Sequence, residues 1–128
     1  MSDGLVDTSW FIALEARRPL RTDLVPDRLA LSVITIGALR AGVLAASDLE
    51  TRDRRLGTLA WALALDPVPI DDAVAAAWAR LRVVLRDRGE RMDVNDSWIA
   101  ATAIALGVPV VTRDEGYVAV PGLEVIRV

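Results

Sequence analysis

The stretch NDSWIAATAIALGVPVVTRD, from Asn95 to Asp114, decides the fold class. It begins as an alanine-rich segment of helical character that Asp96 opens, reaches Gly107 at the position where helices commonly end, and continues as an apolar strand over 108–112. An acid, Asp114, follows the strand. Working outward, the same grammar recurs. Leu5-Val6 reads as a short strand, and a helix follows from about Ser9, with Trp10, Ile12, Ala13 and Ala16 on one face and Pro19 as its stop. Leu29–Val33 reads as a second strand, and Ile36, Leu39, Val43 and Ala46 form the stripe of a helix from about Thr35. Residues 50–65 read as helical, Pro67–Ile70 as a third short strand, and Asp71 as the cap of a long helix to about Arg88. Leu123–Arg127 reads as a last strand after the Pro121-Gly122 turn. Short strands alternating with helices predict an α/β fold, a three-layer α/β/α sandwich on a short-stranded, mainly parallel sheet. No repeat or linker interrupts the 128 residues, so residues 1–128 are expected to form a single domain.

Within this frame the acids occupy telling places. Asp7 follows the first strand, Asp96 stands at a helix start, and Asp114 closes a strand. Open α/β sheets gather their functional groups at such junctions. Taken singly, each has an ordinary explanation as a cap or turn residue. Together they form a constellation, because each has a hydroxyl or amide neighbour able to orient it: Thr8, Ser9, Asn95 and Thr112. Asp93 is a weaker candidate, sharing a helix face with Asp96 if that helix starts early. Clustered carboxylates repel unless a cation neutralises them. The chain has no His, no Cys and no Lys, which removes most nucleophile, zinc and Schiff-base chemistry. Carboxylate oxygens remain, and these are the ligands hard cations such as Mg2+ and Mn2+ prefer.

Composition sets further bounds. Hydrophobic content is 53%, above the roughly 45–50% of ordinary soluble domains, and suggests an apolar surface for a partner or a second copy. No apolar run reaches the ~20 residues of a membrane span, and no basic start marks a signal peptide. With no Cys for disulfides, a cytoplasmic address is expected. Net charge is −3, which does not advertise nucleic acid, although all fifteen positive charges are Arg, whose forks suit phosphates. A GC-rich genome explains that bias more simply. Arg40 and Arg113 are candidate phosphate contacts, with salt bridges inside the fold an equal explanation. The four tryptophans read as core or dimer contacts rather than base-stacking platforms.

Four segments in order make the chain similar to a PIN domain of the VapC toxin type. They are Leu5-Val6-Asp7-Thr8-Ser9, Ser32-Val33-Ile34-Thr35-Ile36-Gly37-Ala38-Leu39-Arg40-Ala41-Gly42-Val43, Asn95-Asp96-Ser97-Trp98-Ile99-Ala100-Ala101-Thr102-Ala103, and Val110-Val111-Thr112-Arg113-Asp114, closed by Val120-Pro121-Gly122-Leu123. The resemblance implies a Mg2+- or Mn2+-dependent endoribonuclease, the toxin of a toxin–antitoxin pair. It also implies a homodimer silenced by a small antitoxin that covers the active site. Carried over by position, Asp7 and Asp96 become metal-binding acids, Asp114 a further and often indirect ligand, and Thr112 a supporting hydroxyl. One position departs. Where the family pattern has a catalytic Glu, this chain has Ala38, inside a motif that is otherwise intact, as after a single deliberate replacement. The expected consequence is weakened metal binding and turnover. The alternatives are a catalytically degenerate module that binds antitoxin or RNA, and an Asp-nucleophile phosphotransfer domain, which would need a Lys that this chain lacks.

Overall fold

The computed structural model describes residues 2–128. Four strands, β1 (Asp3–Val6), β2 (Arg28–Ala30), β3 (Val110–Thr112) and β4 (Val125–Arg127), form one sheet in the order β2-β1-β3-β4. All pairings are parallel. Five helices surround it: α1 (Thr8–Glu15), α2 (Val33–Ala45), α3 (Leu49–Leu63), α4 (Asp72–Asp87) and α5 (Val94–Leu106). A 3-10 turn lies at Thr22–Leu24.

Alternation along the two central strands divides the core. Leu5 and Val110, paired across β1 and β3, point to one face and pack with Leu81 and Leu85 of α4 and Ile99, Ala100 and Ala103 of α5. Val6 and Val111, the next pair, point to the other face and pack with Trp10 and Phe11 of α1, Leu39 of α2 and Leu59 of α3. Side chains of successive strand residues face opposite ways, so buried pairs of both parities require helices on both faces. The α/β/α sandwich follows from that parity.

The expected elements are present; the strands read at 108–112 and Leu123–Arg127 are shorter, at Val110–Thr112 and Val125–Arg127, and four further adjustments have a local cause. First, α1 ends at Glu15, well before Pro19, where Ala16 caps the helix and Arg17 turns the chain at φ +55°. Second, β2 is shorter than Leu29–Val33 because Ser32 leaves the strand to cap α2, its hydroxyl accepting from Ile34 N at 3.0 Å. Third, Pro67–Ile70 is not a strand of the sheet. Val68 makes one isolated parallel bridge to Ser32, and Pro67 and Pro69 on either side have no N–H with which to extend it. Fourth, α5 begins earlier than Asp96: Asp93 is its cap, accepting from Asn95 N at 3.2 Å. The helix-end role of Gly107 holds, with φ +69° and a hydrogen bond from Val108 N to Ala103 O closing the turn.

The strand ends are set by close approach. A methyl built on Gly4 would lie 2.8 Å from Pro26 Cγ and 2.8 Å from Val111 Cγ2. On α2, by contrast, a methyl on Gly37 meets nothing within 4 Å. Gly4→Ala should therefore destabilise the chain by roughly 1–3 kcal/mol through overpacking, and Gly37→Ala should stabilise it by about 0.5–1 kcal/mol. Urea denaturation of the two variants checks both signs. Equal stability of Gly4→Ala and the parent would mean that β1 and β3 are not held at this spacing.

Candidate functional site

Register brings the site together. Val6 pairs with Val111 in parallel, so the residues that follow them, Asp7 and Thr112, leave the sheet side by side at its C-terminal edge. Asp7 also caps α1, accepting from Trp10 N at 3.2 Å. Its carboxylate is buried and takes three further hydrogen bonds: from Ser9 Oγ at 2.6 Å, from Thr112 Oγ1 at 2.5 Å and from Tyr117 Oη at 3.2 Å. Two bonds fall on each oxygen, which fills the acceptor capacity of a carboxylate. Burial nevertheless outweighs these bonds and holds the Asp7 pKa above the usual carboxylate value.

The same hydroxyls place the next acid. Thr112 Oγ1 accepts from Asp114 N at 2.8 Å, Ser9 Oγ accepts from Arg113 N at 3.0 Å, and Asp114 Oδ1 accepts from Gly116 N at 3.0 Å. The loop after β3 is thereby turned back over the sheet edge. Asp96 arrives from the first turn of α5, half-buried. A methyl built on Gly116 would lie 3.3 Å from Asp96 Oδ2 and 3.4 Å from Asp114 Oδ1, so the two carboxylates flank one small space that glycine leaves open. Burial first, and then the charges of Asp114, Asp7 and Asp93, push the Asp96 pKa up to about 6.

The structure thus brings Asp7, Asp96 and Asp114 into one electrostatic unit, with Ser9 and Thr112 as orienting hydroxyls. Asp93 is exposed and contributes charge from the helix cap. Asn95 is exposed, and among the described residues its side chain makes no hydrogen bond to the acids. Thr8 makes no hydrogen bond to the acids among the described residues, and its hydroxyl donates to Thr35 Oγ1 at 3.2 Å. Ala38 lies on α2 and shares with Thr8, Glu15 and Arg55 the wall of a cavity of about 210 Å³. Arg113 and Arg18 line a second cavity, of about 290 Å³, together with Ser9 and Asp114. Arg40 is exposed and, like Arg113, is in none of the salt bridges among the described residues.

Tyr117 is a site residue that the sequence does not announce. It lies in an irregular segment with no periodicity to mark it, and the only signal is a lone aromatic shortly after Asp114. Burial, and then the charges of Asp7 and Asp96, hold its phenol far above the ordinary tyrosine value, so it stays a hydrogen-bond donor to Asp7.

The donor set can be tested against a divalent ion. Among the described residues no group of three or more carboxylates is spaced to close on one ion, and Asp7 is fully engaged by its four donors. Asp96 and Asp114 have oxygens directed at a common space. Two carboxylates with the remaining positions left to water is the donor set Mg2+ commonly takes, so the pair fits such an ion.

Comparison with known proteins adds the family context. The PIN domain model matches residues 4–123. Ribonuclease VapC5 of Mycobacterium tuberculosis is 45% identical over 128 residues, covering 98% of this chain and 95% of that protein. Ribonuclease VapC4 of the same organism is 47% identical over 130 residues, covering 98% and 96%. Among solved structures, the VapBC-5 member of the VapBC family of toxin–antitoxin systems from M. tuberculosis superposes with a TM-score of 0.92 at 41% identity, over 100% of both chains.

The raised Asp96 pKa has a consequence for stability. Between the ordinary aspartate range and about pH 6, the folded chain holds a proton on Asp96 that the unfolded chain has released. The contribution of this group to stability therefore falls as pH rises through that window. In the presence of EDTA, Asp96→Asn should raise Tm at about pH 7 by more than at about pH 5. A Tm increment equal at the two pH values would show that burial and the neighbouring acids do not raise the Asp96 pKa.

Proposed function

Because this chain belongs to the PIN-domain family, as a toxin of the VapC type, we propose that it is a metal-dependent endoribonuclease whose activity is weakened by Ala38. The observation that carries the reading is the meeting of Asp96 and Asp114 over Gly116, beside the buried Asp7. Asp96, its pKa raised by burial and then by the neighbouring acids, makes this a poor design for stability alone and a good one for holding a cation.

Asp96 and Asp114 would hold a hydrated Mg2+, with Mn2+ as a substitute. When bound, such an ion offsets the carboxylate charge, polarises a phosphoryl oxygen and acidifies water. Asp7, the other metal-binding acid the resemblance implies, also positions: through Ser9 and Thr112 it fixes the backbone N–H groups of Arg113 and Asp114. It could ligate directly only by releasing one of its four hydrogen bonds. Arg113 and Arg18, on the cavity that Asp114 also lines, offer guanidinium forks to a flanking phosphate. No Lys, His or Cys is present to act as a nucleophile, which favours attack by water on the phosphodiester.

Ala38 fits this reading as a missing group. The cavity of about 210 Å³ that it lines with Thr8, Glu15 and Arg55 has room for a longer acid next to the helix that Asp7 caps. The VapBC-5 neighbour belongs by name to a family of toxin–antitoxin systems, which supports a small antitoxin as the partner here. Leu44 and Leu49, over 80% exposed around the turn between α2 and α3, are apolar surface available for that partner or for a second copy in a homodimer. Among the described residues no helix is long and apolar enough to cross a membrane; the cytoplasm, where RNA is available, is the proposed place of action.

With total cellular RNA and Mg2+, Ala38→Glu should cleave faster than the parent by about 10²-fold or more, the scale of a positioned proton-transfer group. In that background Asp96→Asn and Asp114→Asn should each abolish cleavage, as should EDTA. A folded Ala38→Glu chain that binds Mg2+ and cuts nothing would give precedence to the degenerate binding module. Full activity of the parent would show that position 38 is dispensable. For Asp7, Tyr117→Phe removes one of the four donors, and a lower Tm by roughly 1 kcal/mol of stability is expected from the missing hydrogen bond. An unchanged melt would deny Tyr117 its anchoring role.

A further inference from the structure

Five of the fifteen basic residues, Arg80, Arg82, Arg86, Arg88 and Arg91, fall within one short span at the end of α4, opposed there only by Asp87 and Glu90. This local excess lies on a chain whose net charge is −3. Three of the five, Arg82, Arg86 and Arg91, line a single cavity of about 360 Å³ together with one acid, Glu90, over a floor of Leu85 and Met92. The floor is rigid, since both residues are buried in the core that also holds Leu5 and Val110. Arg88 pins the helix end, its Nη1 donating to Ala119 O at 2.9 Å.

Arg82 is held in place without being neutralised. Its guanidinium carbon lies 5.3 Å from the Trp78 ring centroid. Trp78 is itself stacked on Trp98 at 4.3 Å with 3° between planes and donates from Nε1 to Ser97 Oγ at 3.0 Å. Trp78 is thus engaged by both Arg82 and Trp98. Among the described residues neither Arg82 nor Arg91 is paired with a carboxylate, and Arg86 meets Asp87 at 3.2 Å. A guanidinium oriented by an aromatic face, with its donors unspent, is suited to phosphate. Position completes the argument. Arg91 precedes Asp93 by two residues, so their Cα atoms lie within about 7 Å, and Asp93 begins the helix turn that carries Asp96.

We infer that the cavity lined by Arg82, Arg86 and Arg91 binds the phosphate backbone of the RNA substrate next to the acid site. The inference rests on the ribonuclease reading and deepens it by naming where the strand lies as it leaves the acids. Arg18 and Arg113 share a cavity with Asp114, and Arg91 is two residues from the Asp93 cap, so a strand over the carboxylates would have arginine near both Asp114 and Asp93.

The test is binding of a fluorescein-labelled, mixed-sequence single-stranded RNA in EDTA, by anisotropy across a salt series, so that nothing is cleaved. Arg82→Gln/Arg91→Gln should bind more weakly and with a log–log salt slope smaller by about 1.4, close to 0.7 for each phosphate no longer neutralised. Arg82→Lys/Arg91→Lys, which keeps both charges, should retain most of the slope and guards against a packing defect at Trp78. Arg17→Gln/Arg21→Gln, away from the cavity, should match the parent. RNA binding by the parent with the same slope in the Gln pair would overturn the inference and leave the ribonuclease reading intact. Loss of binding to poly-glutamate in the Gln pair, with RNA binding unchanged, would assign the surface to an acidic polypeptide and likewise overturn it. Failure of the parent to bind RNA in EDTA would overturn the inference, while the ribonuclease reading is decided separately by Mg2+-dependent cleavage with Ala38→Glu.

Discussion

Taking the Asp7 carboxylate out of water costs several kcal/mol unless its oxygens are hydrogen-bonded, and the fold supplies four donors from three segments. Two come from the first turn of α1, one from the end of β3, and one from the loop that carries Tyr117. These segments are distant in sequence and meet because β1 and β3 are neighbouring parallel strands. The dependence runs both ways. The sheet register places the donors, and the buried charge penalises any register that would leave it unpaired. Even so, burial prevails in the Asp7 pKa, which shows how dry this end of the sheet is.

From that anchor the rest of the site is geometry handed on through hydroxyls. Ser9 and Thr112 each donate to Asp7 and accept from the backbone of the next loop. A hydroxyl that both donates and accepts is the smallest group that can transmit orientation in this way, and no apolar residue of similar size could replace it. The loop then folds over Gly116, where the absence of a side chain leaves room between Asp96 and Asp114. Asp96 has a favourable place at the start of α5, where the helix dipole supports negative charge. Its raised pKa shows that burial and three neighbouring acids outweigh that support.

How much of this can be read from the chain depends on what kind of signal each residue leaves. Asp7, Asp96 and Asp114 stand at the ends of regular elements, and periodicity locates those ends to within a few residues. Their meeting needs only the assumption of adjacent parallel strands. The start of α5 is ambiguous in the sequence because Asp93 and Asp96 are equally good caps by residue type, and only the backbone of Asp93, with φ −52° and ψ 143°, distinguishes them. Pro67–Ile70 resembles a strand because Val68 and Ile70 alternate with prolines, yet those prolines deny it a ladder. Tyr117 and Gly116 leave no trace of their roles, since irregular loops carry no period and their contacts are all long-range. The cavity beside Ala38 is equally hidden, because it needs α1, α2 and α3 together.

The arrangement of charge explains how an acidic chain can act on a polyanion. A site made only of carboxylates repels phosphate, and a net charge of −3 offers no long-range attraction to compensate. Attraction must then be local, and the arginines are distributed accordingly. Arg18 and Arg113 share a cavity with Asp114, while Arg82 and Arg91 line another, with Arg91 two residues before the Asp93 cap of the helix that carries Asp96. A strand bound at both would have its intervening phosphodiester over the acids, the one place where a cation would be needed to relieve repulsion. Neutralising the acids by mutation should therefore strengthen binding while it abolishes reaction. Neutralising the arginines should weaken binding without altering the acids. That opposition of signs separates a phosphodiesterase built on carboxylates from a surface that merely carries charge.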